Sequence, residues 1–168
     1  MVPYGFGAFH WLTGIYKINR KDCMGSRSML ILLVDDDDED MELFMDALKE
    51  IDTSIDFIWA DDGVSALDLL NNNAQPLPDY IFMDLNMHRM NGKECLAEIK
   101  QSKRLGHLPV IICTTSKRES DVSKTRDLGA SGFFTKPQSF EDLVSVIRFI
   151  LNEKPVAGEY LNCLFEVF

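Results

Sequence analysis

A chain of 168 residues, 46% hydrophobic and 26% charged, is long enough for one domain with a buried core and has the make-up of an ordinary soluble protein. Its net charge of −10 and pI of about 4.7, with no Lys/Arg cluster, argue against nucleic acid or an anionic membrane as partner; cations and basic protein surfaces remain. Cys23, Cys95, Cys113 and Cys163 stand at no metal-knuckle spacing, and the set reads as reduced thiols of a cytoplasmic protein, with Cys113 buried in an apolar run.

Residues 1–28 are aromatic and Gly-rich without periodicity. They lack the charged start and unbroken apolar stretch of a signal peptide and are too interrupted for a membrane span. They are expected to be a disordered extension, or to precede the native start, since Met24 and Met29 stand nearer the domain. From residue 29 to about 152 the pattern turns regular. Apolar runs at Met29–Val34, Ile55–Trp59, Tyr80–Met83, Val110–Cys113 and Gly132–Thr135 read as buried strands. Between them, helical periodicity marks Met41–Ile51, Val64–Leu70, Glu94–Lys100 and Val122–Leu128. A last helix carries Phe140, Leu143, Val144, Ile147, Ile150 and Leu151 on one stripe, and Ser139 with Asp142 reads as its capping box. The alternation predicts an α/β fold, a (βα)5 doubly wound parallel sheet with helices on both faces. Residues 153–168 are too few for a second domain and form a tail.

Ligands of open parallel sheets bind beyond the carboxyl ends of the strands. The first run ends in Asp35-Asp36-Asp37-Asp38-Glu39-Asp40, the third in Asp84, the fourth in Thr114 and the fifth in Lys136. Two like charges about 4 Å apart repel by roughly 4 kcal/mol at an effective dielectric near 20. A cation offsets that cost: Asp35, Asp36 and Asp84 form a set of hard oxygen donors suited to Mg²⁺. The acids from Asp37 to Asp40 have a simpler reading, as capping groups at the positive end of the first helix. A strand-end carboxylate with a metal, a hydroxyl and a lysine is what an aspartyl phosphate requires, because metal and ammonium neutralise the incoming phosphoryl oxygens.

"ILLVDDD", "YIFMDLNM", "CTT" and "GFFTKP" resemble, in order and spacing, the motifs of response regulator receiver domains of two-component signalling. The sequences "DLNM", "TTS" and "LGASGFFTKP" resemble the single-domain, phytochrome-associated branch. The resemblance implies a flavodoxin-like strand order 2-1-3-4-5 and a phosphoryl group received on Asp84 from a sensor histidine kinase or a histidine phosphotransfer protein. It implies Asp36 as a direct Mg²⁺ ligand, Asp35 as a ligand through water, Asp84 itself, and the backbone carbonyl of Asn86. Lys136 would pair with Asp84 at rest and with the phosphate afterwards, across a cis Lys136–Pro137 bond. Thr114 would swing its hydroxyl to the phosphoryl oxygen, and Phe133 would turn inward with it; the other reading of Phe133 is a plain core residue. Output would then run through protein contact or homodimerisation, with no external metabolite turned over.

Two departures stand in the loop after Asp84: His88 where receivers usually carry proline, and Asn91 where they often carry aspartate. His88 is expected to be a solvated loop residue. Thr115, β-branched, is expected to narrow the approach to Asp84. Two other readings stay open. One is a pseudo-receiver that binds partners without phosphate. The other is an aspartate-nucleophile phosphohydrolase, which would want an acid where Asn86 stands.

Overall fold

The computed structural model describes residues 28–156, and within them each strand end leads into a helix. The order is β1 (Leu30–Val34), α1 (Asp38–Ile51), β2 (Asp56–Ala60), α2 (Gly63–Asn71), β3 (Tyr80–Met83), α3 (Gly92–Gln101), β4 (Val110–Thr114), α4 (Glu119–Asp127), β5 (Gly132–Thr135) and α5 (Phe140–Glu153). The five strands pair in parallel in the order β2-β1-β3-β4-β5, the predicted (βα)5 topology. The expected extension 1–28 lies outside the described residues except for Ser28, and the tail except for residues 153–156. Among the described residues no helix is long and apolar enough to cross a membrane.

The sheet is covered on both faces, which is why the interior strand β1 has no polar residue: all five of its side chains are buried. Alternation along β1 sends Ile31 and Leu33 to one face and Leu32 and Val34 to the other. On the first face Phe44 of α1 packs on Phe82 of β3 with ring centroids 4.9 Å apart, and the stripe of α5 closes the layer through Val144, Ile147 and Ile150. On the second, Ala66 and Leu70 of α2 and Leu96 and Ile99 of α3 cover Ile81, Met83 and Ile112. Each large apolar side chain removed from water contributes about 2 kcal/mol.

Helix α4 departs from this plan. It starts three residues earlier than its periodicity suggests, has no side-chain cap, and the residues it buries fully are Asp121 and Thr125. The Asp121 carboxylate accepts from Lys93 Nζ of α3 at 2.6 Å and from Ser116 Oγ at 2.5 Å. A polar anchor therefore takes the place of an apolar face. At the start of α5, Ser139 caps through its hydroxyl, which accepts from the Asp142 N–H and donates to the Asp142 carboxylate. The predicted reciprocal box is thus replaced by a side-chain pair.

One glycine fixes the site to the fold. A Cβ on Gly92, the first residue of α3, would lie 2.0 Å from the carbonyl oxygen of Asp84 and 2.9 Å from Leu85 Cα. Backbone occupies that space, so a methyl group cannot be absorbed by a side-chain rotation. Gly92→Ala is expected to destabilise the protein by about 3 kcal/mol in urea unfolding, whereas Gly129→Asn, at a left-handed turn where an added Cβ meets the flexible Lys100 side chain no closer than 3.5 Å, should cost well under half as much.

Candidate functional site

Parallel pairing sets the strand ends level. The ladder runs one residue beyond the strands: the Asp35 N–H donates to the Ala60 carbonyl at 3.0 Å, the Asp84 N–H to Val34 at 2.9 Å, and the Lys136 N–H to Thr114 at 2.9 Å. The side chains at these positions therefore emerge together on one edge. Asp35 is 1% exposed and Asp84 6%, while Asp36 stands at the rim. Asp35, Asp36 and Asp84 each bring a carboxylate oxygen within 4.8 Å of the others. This all-oxygen set fits a hard divalent cation, which binds through one or two carboxylates, carbonyls and water.

Asp84 Oδ1 accepts from the Leu85 N–H at 2.7 Å, and Oδ2 lies 3.9 Å from Lys136 Nζ. The Thr114 hydroxyl is fully buried and is approached at 3.4 Å by both the Asn86 side-chain amide and the Ser116 N–H. The loop after β3 and the loop after β4 thus meet on the one hydroxyl of the site.

Lys136 differs from expectation. Its ammonium is hydrogen-bonded to Asp35 Oδ2 and to Asp40 Oδ2, both at 2.6 Å, and its contact with Asp84 is a looser ion pair. Burial works against the ammonium, but the Asp35 and Asp40 carboxylates outweigh it and hold the lysine pKa above its ordinary value. Asp40 was assigned only to the helix terminus by its sequence position. Its link to Lys136 spans 96 residues, and no local pattern signals it.

Two further expectations change. The Lys136–Pro137 bond is trans, as are all peptide bonds among the described residues. A tertiary amide before proline favours trans by about 0.5–1 kcal/mol, and the strand hydrogen bond of the Lys136 N–H is made without a cis turn. Phe133 is already 4% exposed in the core beneath α3 and α4, so no outward ring waits to turn in. Its place on the alternating β5 strand sends it to that face. His88 is exposed as expected, yet not idle: its Nδ1 is 2.6 Å from Asp36 Oδ2. Thr115 is exposed.

Residues that the sequence did not flag support this edge. Trp59 Nε1 donates to the Asp35 carbonyl at 2.8 Å, fixing the backbone of the acid run from β2. Arg89, in the left-handed region at φ 62°, pairs with the buried Asp62 at 2.7 Å and ties the loop after Asp84 to the start of α2.

Burial pushes the Asp35 carboxyl up from 3.8 to about 6, against the pull of Lys136 and with help from the Asp84 charge. The folded chain then binds this proton more readily than the unfolded one. Stability gained from it is complete below the unfolded value near 3.8 and is lost as pH rises through about 6. In metal-free buffer, urea unfolding at about pH 5 and about pH 7.5 should show a gain on acidification that is larger by about 1 kcal/mol in wild type than in Asp35→Asn.

A family model, the response regulator receiver domain, matches residues 31–148. The response regulator Rcp1 of Synechocystis sp. is 34% identical over 125 residues, covering 72% of this chain and 85% of Rcp1. The crystal structure of the Mn²⁺-bound form of Rcp1 superposes with a TM-score of 0.67 over 73% of this chain and 91% of that one, at 34% identity. The phosphorylated cyanobacterial phytochrome response regulator RcpA superposes with a TM-score of 0.69 at 30% identity, covering 74% of this chain and 91% of that one.

Proposed function

The chain belongs to the response regulator receiver family and is a phosphorylation-dependent signal receiver, and on that footing we propose that Asp84 is its phosphoacceptor, with Thr114 and Lys136 as the partners of the phosphoryl oxygens. The observation that carries this reading is the Asp84 carboxylate itself. It is buried at a strand end, its Oδ1 is fixed by the Leu85 N–H, and an ammonium and two further carboxylates surround it. An Asp84 oxygen attacks phosphorus, the P–N bond of a donor phosphohistidine breaks, and the leaving imidazole takes up a proton. Leu85 N–H limits the carboxylate's rotation. The Thr114 hydroxyl donates to one phosphoryl oxygen after giving up its contacts with Asn86 and Ser116. The Lys136 ammonium reaches another. Asp35, Asp36, Asp84 and the Asn86 carbonyl would hold Mg²⁺, which supplies charge neutralisation of the transferring group.

Receivers of this family take phosphoryl groups from histidine kinases. For this chain we place the donor with a phytochrome-type sensor kinase or a histidine phosphotransfer protein, because its likeness to Rcp1 and RcpA spans nearly the whole of those chains. Output follows from the Thr114 movement. Ser116 bonds both Thr114 and Asp121, so moving the hydroxyl loosens the anchor of α4 and changes a protein-contact surface. Because Phe133 is already inward, the β4–α4 loop carries the signal in this proposal. The phosphohydrolase reading loses its second acid, since Asn86 bonds Thr114 where that enzyme class would need a carboxylate. We therefore assign no turnover of an external metabolite.

Intact mass after incubation with acetyl phosphate tests the reading. One added phosphate that requires both Mg²⁺ and Asp84 is expected, with none in Asp84→Asn. If no mass is added and beryllofluoride also fails to bind, the chain is a pseudo-receiver. Asp36→Ala is expected to weaken Mg²⁺ binding by at least about tenfold in titration calorimetry while leaving the melting temperature unchanged or higher, because it relieves repulsion with Asp35 and Asp84.

A further inference from the structure

We propose that Asp40 is a positioning residue that holds Lys136 in reserve, competing with the phosphoryl group for the lysine ammonium. The inference rests on the receiver reading above and goes beyond it by adding a fourth acid to the working site. Asp40 is the third residue of α1, where an acidic side chain ordinarily folds back to the N-cap backbone N–H. Here that N–H, on Asp37, donates to Asp35 Oδ1 at 3.2 Å. The Asp37 side chain in turn caps the N–H groups of Glu39 and Asp40. The helix terminus is thus satisfied without the Asp40 carboxylate, which crosses to β5 and takes Lys136 Nζ at 2.6 Å.

The pair is not an ordinary surface ion pair. The lysine side chain is 13% exposed and that of Asp40 35%, so the ammonium end is the sheltered one, and both groups line a cavity of about 140 Å³ whose other walls include Leu43, Phe44, Phe140 and Leu143. Apolar walls keep competing water few on that side, which strengthens the contact. Both short bonds of the ammonium lead to residues that follow β1, and Asp84 lies 3.9 Å away. The ammonium has a third N–H to offer a phosphoryl oxygen on Asp84, and any movement of Nζ toward that oxygen stretches the Asp40 bond first. Asp35 adjoins Asp84 in the acidic cluster and remains within reach after the shift; Asp40 is not a member of that cluster. Asp40 thereby sets how readily the lysine is released.

The test uses the full chain and beryllofluoride, a phosphoryl mimic, at Mg²⁺ saturating for each variant. Asp40→Asn keeps the shape and removes the charge. It is expected to bind beryllofluoride roughly three- to tenfold more tightly than wild type. The acetyl phosphate concentration for half-maximal phosphorylation should fall by a similar factor while the maximal rate changes little. Asp40→Glu should return both towards wild type, and provides the second variant if Asp40→Asn folds poorly by circular dichroism. In a Lys136→Arg background, where the flat guanidinium cannot reproduce the shared ammonium, the Asp40→Asn gain should shrink to less than half. An unchanged or weaker affinity in Asp40→Asn, with wild type binding normally, overturns the inference alone. The same gain in the Lys136→Arg background overturns it too, because Asp40 would then act through bulk charge. If wild type itself neither binds beryllofluoride nor takes up phosphate, the receiver reading fails first.

Discussion

At the carboxyl edge of the sheet three carboxylates, those of Asp35, Asp40 and Asp84, share one ammonium, Lys136, and a fourth, Asp36, stands beside Asp35 and Asp84. This imbalance is the constraint on which the rest of the structure depends. Negative charge held in a part-buried place must be met by an ammonium, by N–H groups or by a cation. The protein uses the first two throughout. Lys136 serves three acids, the Leu85 and Asp37 N–H groups hold oxygens of Asp84 and Asp35, and His88 meets Asp36. What is left over is charge for a divalent cation to meet.

Rigid elements hold these groups in place. Asp35 and Asp84 stand one residue beyond β1 and β3, where the strand ladder is still hydrogen-bonded and both strands are buried throughout. Gly92 lets α3 approach the Asp84 carbonyl closely, and two side-chain contacts, Asp36 with His88 and the Asp62–Arg89 ion pair, hold the intervening loop. The acceptor therefore sits in a frame that does not yield. The responsive part lies to the other side. Helix α4 has little apolar surface to bury, and its position rests on a hydrogen-bonded carboxylate, Asp121, bound to Lys93 and to the loop residue Ser116. A polar anchor can be broken and remade at modest cost compared with an apolar face. Ser116, two residues from Thr114, links that anchor to the Thr114 hydroxyl.

The loop after Asp84 shows how an exchange of residue type changes the means of rigidity. A proline stiffens a loop by fixing φ. This chain has His88 at that place and instead ties the loop with side-chain contacts, His88 to Asp36 and Arg89 to Asp62. The left-handed Arg89 adopts a conformation that a non-glycine residue holds only when its surroundings compensate. The buried Asp62 carboxylate provides that compensation.

The sequence by itself determined the architecture and the membership of the site. Apolar runs of strand length alternating with helical stripes leave few topologies open, and residues just past parallel strands share one edge by construction. Asp35, Asp36, Asp84, Thr114 and Lys136 were thus placed together without coordinates. Only the tertiary structure decided how they pair. Lys136 bonds Asp35 and Asp40 more closely than Asp84, the bond to Pro137 is trans, Phe133 is already inside, and Trp59 holds the Asp35 carbonyl. Hydrophobic pattern and strand order are averaged over many residues, so local sequence carries them. A hydrogen bond is made or lost within a fraction of an ångström between residues up to 101 positions apart, and only the packed fold fixes distances that finely.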